Sequence, residues 1–285
     1  MVTLEDFEMK NETKWCPGCG NFGILRAMKK ALVELDIPPE NILIVSGIGQ
    51  AAKTLHYLKC NAFHGLHGRA LPLATGAKIA NHDLKILVNM GDGDCYGEGG
   101  NHFLHAIRRN IDLTLLVHDN RVFGLTKGQA SPTAERGMIT KAQPYGVIAE
   151  PFKPLTVALV LSAGFVARGF SGEIEHLSYL IKEGMLHKGF SLIDIFQPCV
   201  SFNQINTHKW YAERVYKLED AGYFPTDFEK ALAKAQEWGD RLPIGIFYKK
   251  EKPSFTDQVP SLKEGSLLDR HYDPKRLKSI LSQLT

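Results

Sequence analysis

Residues 91–125 read GDGDCYGEGGNHFLHAIRRNIDLTLLVHDNRVFGL, and the fold turns on how this stretch divides. The apolar run 84–88 leads into Gly91-Asp92-Gly93-Asp94 and then into a segment with helical spacing, which predicts a strand handing over to a helix at the Gly/Asp cluster. Glycines let the backbone come close to an anion, and a helix N-terminus offers unpaired N–H groups and a favourable dipole. Asp92 would repel a bare phosphate, so its presence implies a cation between the two. A second apolar run, 113–117, ends at Asp119-Asn120, which places a carboxylate and an amide oxygen at the carboxyl ends of two strands. Mg²⁺ takes six oxygens in near-octahedral array, one or two from protein carboxylates and the rest from phosphate and water. Asp92 and Asn120 meet that need, although a GDG turn by itself is common.

Working outward, residues 21–36 carry Leu25, Met28, Leu32 and Leu35 at helical steps, and Pro38-Pro39 stop the run. A short strand at 42–45 is followed by Gly47-Ile48-Gly49 and a helical segment carrying Gln50 and Lys53. The stretch 63–69, FHGLHGR, reads as a loop, 70–80 as a helix, and 121–133 as irregular. Further strands are expected at 165–167, 191–196 and 244–247, with helices ending near 161 and at 173–187, 209–218 and 227–238. At least six strands separated by helices predict a doubly wound α/β fold, a mostly parallel sheet with helices on both faces and ligands at the strand carboxyl ends. Nothing divides the chain, so residues 1–248 are read as one domain. Residues 249–285, charged and carrying Pro and Ser, are read as a tail wrapping a partner or lying loose.

Composition narrows the class. The chain has 285 residues, 44% hydrophobic and 23% charged, with a net charge of +3, an ordinary globular balance without the basic stripe of a nucleic-acid binder. The first fifteen residues lack the apolar core of a signal peptide, and no stretch approaches eighteen uninterrupted apolar residues, so the expectation is a cytoplasmic protein with no membrane partner. Five cysteines, an odd number, point to metal, catalytic or buried thiols and not to a disulfide framework. Cys16 and Cys19, in CPGCG, form a compact chelating knuckle: a zinc site short of two ligands, or a redox pair.

The pattern GDG, then roughly twenty-five residues, then Asn resembles the thiamine diphosphate fingerprint. The wording GDGD, GGNH, GLTKGQ and SPT resembles the β subunit of the 2-oxoacid:ferredoxin oxidoreductases, from about Cys16 to the strand near Ile244. The resemblance implies thiamine diphosphate and Mg²⁺, with Asp92, Asn120 and the Val122 carbonyl on the metal. It also implies a cofactor site made by Gly47, Ile48, Gly49, His67, Gly68, Gly91, Asp92, Gly93, Asp94, Asn120, Val122, Gly124 and Leu125. Oxidative decarboxylation of a 2-oxoacid to acyl-coenzyme A would follow, with electrons leaving through an Fe–S cluster to ferredoxin. A partner α subunit would supply the carboxylate needed beside the aminopyrimidine, so the chain is expected to be inactive alone.

For the cluster, Cys16, Cys19 and Cys199 match three ligand positions, while Gln50 stands where the family usually has a cysteine. Cys60 is an unsuitable substitute: on one continuous helix, ten residues from Gln50 would carry it about 15 Å away. A three-iron cluster, a four-iron cluster with a non-cysteine ligand, or no cluster remain, with a cluster on the three cysteines favoured. The GLTKGQ and SPT wording and the modest length resemble the 2-oxoglutarate or broad-range members more than the pyruvate-specific ones, which favours 2-oxoglutarate, with Thr126, Lys127 and Lys53 as candidates to meet a substrate carboxylate. The rivals are a non-oxidative thiamine diphosphate decarboxylase or carboligase, which needs no cysteine knuckle, and a non-catalytic zinc scaffold. An NAD-binding fold lacks its later glycine here.

Overall fold

The structure is a computed structural model that describes residues 1–263, 265–271 and 274–283. Among the described residues ten strands form: β1 Ile42–Ser46, β2 Asn61–His64, β3 Lys85–Gly91, β4 Leu113–Asp119, β5 Val122–Phe123, β6 Gln129–Ala130, β7 Phe165–Phe170, β8 Phe190–Phe196, β9 Val215–Lys217 and β10 Leu242–Lys249. Eight of them make one sheet in the order β2-β1-β3-β4-β8-β7-β10-β9, and β5 and β6 form a separate small hairpin. Every neighbouring pair of the large sheet is parallel except β10 with β7.

The central strands are apolar on both sides because both faces are covered. Ile86, Val88 and Met90 of β3, with Leu115 and Val117 of β4, pack on one side with helices α2 (Ala70–Ala80), α3 (Gly100–Arg109), α4 (Pro154–Val160) and α7 (Phe228–Ala235). Leu87, Leu116 and Ile193 point the other way, against α1 (Asn21–Glu34) and α5 (Ile174–Leu186). Side chains alternate across a strand, so a continuous apolar run is the sequence of a strand buried on both faces. This is the doubly wound arrangement expected, and it sets β3 and β4 side by side at the centre with their carboxyl ends at Gly91 and Asp119.

Local differences have local causes. The helix expected after Gln50 is a short 3₁₀ helix, Ala51–His56. Residues 61–64, expected to be partly loop, pair as edge strand β2 with β1. The segment 209–218, expected as one helix, splits into α6 (His208–Ala212) and β9, because Val215 and Tyr216 find backbone partners on β10. The stretch after Asp92 begins as a single π-turn, Gly93–Glu98, before α3 starts. Lengthening that turn lets Gly99 N bond Asp94 O at 2.9 Å and seats Gly68 against the Glu98 backbone.

The segment after Lys249, read as a tail wrapping a partner or lying loose, packs in part on the domain itself. Phe255 N donates to Asn110 O at 3.1 Å, the Ser266 hydroxyl donates to Ala80 O, and Leu262 is buried. Among the described residues no helix is long and apolar enough to cross a membrane.

Candidate active site

The ends of β3 and β4 open into a cleft of about 540 Å³, mouth included, lined by Ile48, Gly49, Gln50, Ala51, His67, Gly91, Asp92, Gly93, Asp94, Asn120, Val122, Phe123, Gly124, Leu125 and Thr126. Of the residues expected to contact a cofactor, Gly47 and Gly68 alone do not line it, and both lie directly behind Asp94. A Cβ at Gly47 would fall 2.0 Å from the Asp94 carboxylate, and Gly68 N donates to Asp94 Oδ1 at 2.6 Å. Ile48 N reaches the same oxygen at 3.3 Å, and His67 Nε2 lies 3.7 Å from it. Asp94 therefore ties three loops together, while its Oδ2 is buried with no partner. Burial pushes its pKa up to about 6 against the pull of those backbone donors.

Asp92 is buried at the cleft floor. Among the described residues its hydrogen bonds all fall on Oδ2: Arg121 N donates at 3.1 Å, Thr133 Oγ1 at 2.6 Å, and the Ser131 hydroxyl also donates. Oδ1 is left for a ligand. Burial, reinforced by the neighbouring Asp119 carboxylate, pushes the Asp92 pKa up to about 8. A cation at Oδ1 would remove that penalty by compensating the charge. Asn120 is oriented from both ends, its Nδ2 donating to Gln197 Oε1 at 2.9 Å and its Oδ1 accepting from Val122 N at 3.0 Å.

The cleft is shaped for an anion held by a cation. A Cβ added at Gly91 or Gly49 would meet nothing within 4 Å, so both glycines border open space that a bound group can fill. A carboxylate with one free oxygen, an oriented amide and a glycine rim are the donors that Mg²⁺ and a diphosphate require. Among the described residues no three Cys, His, Asp or Glu side chains converge on one ion.

The substrate candidates separate. Thr126 lines the cleft, its hydroxyl donating to Gln129 Oε1 at 2.6 Å. Lys53 lines an adjoining groove with Lys14, His56 and His64, and this groove shares Ile48, Gly49 and Leu125 with the cleft. Lys127 does not line the cleft: it sits exposed on the turn between β5 and β6 with φ of 82°.

On the other side of the cleft, Cys16, Cys19 and Cys199 line a pocket together with Trp15, Asn21, Gln50, Asn120, Gly124, Gln197 and Ser201. Gly20 N donates to Pro198 O at 3.2 Å, clamping the CPGCG turn onto the segment after β8. Burial, with Cys199 and Cys16 nearby, pushes the Cys19 thiol up to about 11. Gln197 Nε2 donates to Cys19 Sγ at 3.4 Å and Ser201 Oγ to Cys16 Sγ at 3.0 Å. Cys60 does not line this pocket, and it lies just before β2, where its thiol donates to Asn61 O at 3.3 Å. Cys95 is a buried packing residue of the core.

Sequence reasoning missed the carboxylates beneath the cleft. Tyr96 OH donates to Asp194 Oδ1 at 2.7 Å, and Arg168 Nε lies 3.6 Å from Asp194 Oδ2. Arg168 and Asp194, with Asp119, Arg121 and Thr133, line a second cavity of about 520 Å³ that holds none of the expected cofactor residues. The only signal was charge inside apolar strands, Arg168 in β7 and Asp194 in β8.

Comparison with known proteins settles the family. Residues 46–195 match the thiamine pyrophosphate enzyme C-terminal TPP-binding domain, and residues 199–264 match the C-terminal region of the pyruvate ferredoxin oxidoreductase beta subunit. The 2-oxoacid:ferredoxin oxidoreductase subunit beta of Saccharolobus solfataricus is 46% identical over 267 residues, 90% of this chain and 88% of that one. The chain belongs to the 2-oxoacid:ferredoxin oxidoreductase β-subunit family. The 2-oxoglutarate synthase subunit KorB of Methanocaldococcus jannaschii is 36% identical, over 88% of this chain and 92% of that one. The solved 2-oxoglutarate:ferredoxin oxidoreductase from Magnetococcus marinus, with 2-oxoglutarate, coenzyme A and succinyl-CoA bound, superposes with a TM-score of 0.91 at 35% identity, covering 98% of this β-subunit chain and 96% of that chain.

Proposed function

We propose that this β-subunit chain, together with an α subunit in the cytoplasm, oxidises a 2-oxoacid, 2-oxoglutarate in preference to pyruvate, to the acyl-coenzyme A and carbon dioxide, passing electrons to ferredoxin. The observation that carries the reading is one of adjacency: the glycine-rimmed cleft and the three-cysteine pocket share Gln50, Asn120 and Gly124 as a common wall. A non-oxidative decarboxylase has no use for an electron acceptor built against its cofactor cleft. A zinc scaffold has no use for the cleft.

In this reading Asp92 Oδ1, the Asn120 amide oxygen and the Val122 carbonyl hold Mg²⁺, and the rim from Gly47 to Gly49 with Gly91 and Gly93 receives the diphosphate. Asp94, His67 and Gly68 keep the opposing loops in register around the cofactor, with Gly124 and Leu125 closing its side. Thiamine diphosphate, when bound, supplies the ring that stabilises the carbanion left by decarboxylation. Cys16, Cys19 and Cys199 hold an Fe–S cluster beside it. Thr126 and Lys53 meet substrate carboxylates from the cleft and the adjoining groove. The names of the KorB relatives and the 2-oxoglutarate in the Magnetococcus complex support the choice of substrate.

The test is anaerobic co-purification with the α subunit, followed by iron, sulfide and thiamine analysis and dye reduction with each 2-oxoacid. Iron, sulfide and thiamine together, with coenzyme A-dependent turnover of 2-oxoglutarate above pyruvate, agree with the reading. Thiamine without iron would replace it with the decarboxylase, and zinc without thiamine with the scaffold.

A further inference from the structure

Gln50 sits in the wall shared by the cleft and the cysteine pocket. Its backbone carbonyl is already used: Gln50 O accepts from Trp15 Nε1 at 2.9 Å and from Lys53 N at 3.3 Å. Its side-chain oxygen is not, since Oε1 is buried and has no hydrogen-bond partner. An amide oxygen buried without a donor is costly, and such a group calls for an explanation by an ion or ligand it faces.

The other side-chain oxygens of the cysteine pocket are already engaged. Asn120 Oδ1 accepts from Val122 N, Gln197 Oε1 accepts from Asn120 Nδ2, and Asn21 Oδ1 contacts His118 Nδ1 at 2.8 Å. The Ser201 hydroxyl is turned onto Cys16 Sγ. Among the described side chains lining this pocket, Gln50 is the one with a buried acceptor oxygen left over. Three thiols and one unpartnered oxygen therefore belong to residues that line the same pocket.

We propose that Gln50 Oε1 is the fourth protein donor to the cluster, binding one iron through oxygen while Cys16, Cys19 and Cys199 bind the other three through sulfur. The inference rests on the reading of this pocket as an Fe–S site. A neutral amide oxygen is a harder and weaker ligand for iron than a thiolate, so the iron it holds is the exchangeable one. Replacing an anionic ligand with a neutral one also leaves the cluster less negative, which raises its reduction potential. Because Gln50 lines both cavities, this iron belongs to the side of the cluster nearest the cofactor cleft.

The experiment uses the α–β complex reconstituted anaerobically with ⁵⁷Fe and sulfide, as wild type, Gln50→Cys and Gln50→Ala, with melting curves to verify folding. Mössbauer spectra of the wild type should resolve one iron from three, and ferricyanide should take one electron from the cluster and release that iron as Fe²⁺, leaving the paramagnetic signal of a three-iron cluster. Gln50→Cys should make the four irons alike and suppress the release. Gln50→Ala should load three irons in place of four. Four equivalent irons in the wild type, a wild type that loads only three, or a folded Gln50→Ala complex that keeps all four with an unchanged spectrum would each overturn the assignment while leaving the cluster. Wild-type and Gln50→Cys complexes that fold but bind no iron and sulfide would instead remove the cluster reading itself.

Discussion

The Asp92 and Asp119 carboxylates share one hydroxyl, with Thr133 Oγ1 lying 2.6 Å from Asp92 Oδ2 and 2.6 Å from Asp119 Oδ1. A hydroxyl carries a single proton and can donate to only one of them. The second contact is a hydrogen bond only when a carboxyl carries a proton, and burial beside Asp119 holds Asp92 in that state up to about pH 8.

This sets the pH dependence of the cofactor-free protein. Asp92, with its pKa raised to about 8, and Asp194, raised to about 7 by burial and by Asp119, both keep protons that the unfolded chain gives up near 3.8. The native state then binds more protons, so the stability these groups contribute is full below that value and is lost as pH climbs through 7 and 8. The fall is steepest in between, about 1.4 kcal/mol per pH unit for each retained proton. Denaturation by urea across this range should show the decline. Asp92→Asn should reduce the slope by one proton, and Mg²⁺ with thiamine diphosphate should flatten it.

The Asp94 anchor is sterically exact about its neighbours. A methyl group at Gly47 would sit 2.0 Å from the Asp94 carboxylate, and one at Gly68, where φ is 72°, would sit 2.4 Å from the Glu98 backbone. Gly47→Ala should push Asp94 off Gly68 N and Ile48 N and weaken thiamine diphosphate binding by ~10-fold or more, the equivalent of one lost charge-assisted hydrogen bond. Calorimetric titration compares it with Gly76→Ala, whose added methyl meets nothing within 4 Å.

Arg168 and Asp194 form a buried pair whose Nε and Oδ2 are 3.6 Å apart and otherwise unbonded. Asp194→Ala leaves a buried guanidinium over the rings of Phe196 and Phe247, 5.0 and 5.5 Å away. Above pH 7, where Asp194 has given up its proton, breaking such a pair costs about 3–5 kcal/mol, whereas replacing both partners by apolar residues of similar size is close to neutral. Chemical denaturation of Asp194→Ala and of the Arg168→Met, Asp194→Leu double variant should show that order.

Lys53 and Lys127 make different predictions. Lys53 lines the groove beside the cleft, so Lys53→Ala should raise KM for 2-oxoglutarate roughly 10-fold and leave KM for pyruvate nearly unchanged, because pyruvate has no second carboxylate to lose a charged partner. Lys127, exposed on its turn, should show the same selective effect only if the turn closes over bound substrate. Steady-state kinetics of both variants with both acids separates the two.

How much of this was legible follows from what each feature depends on. The strand ends at Asp92 and Asn120 were written locally, as apolar runs broken by Gly and Asp, and they appeared where expected. The joining of Cys16 and Cys19 to Cys199 is long-range: proximity comes from the clamp between Gly20 and Pro198. Residues 215–217 looked helical because three residues are too few to show a period, and only the backbone of β10 decides them. Thr133 and Ser131 lay in a stretch legible as a loop, but no local pattern tells which carboxylate a loop hydroxyl will meet. The Arg168–Asp194 pair was hidden in runs that otherwise read as plain core.

The most direct test of the central claim is diffraction from the α–β complex grown with Mg²⁺ and thiamine diphosphate. The account predicts a cation about 2.0–2.1 Å from Asp92 Oδ1 and Asn120 Oδ1, with diphosphate oxygens completing its shell against Gly91. A cofactor bound elsewhere, or a cleft filled with the Asp92 side chain still engaged solely by Ser131, Thr133 and Arg121, would contradict it.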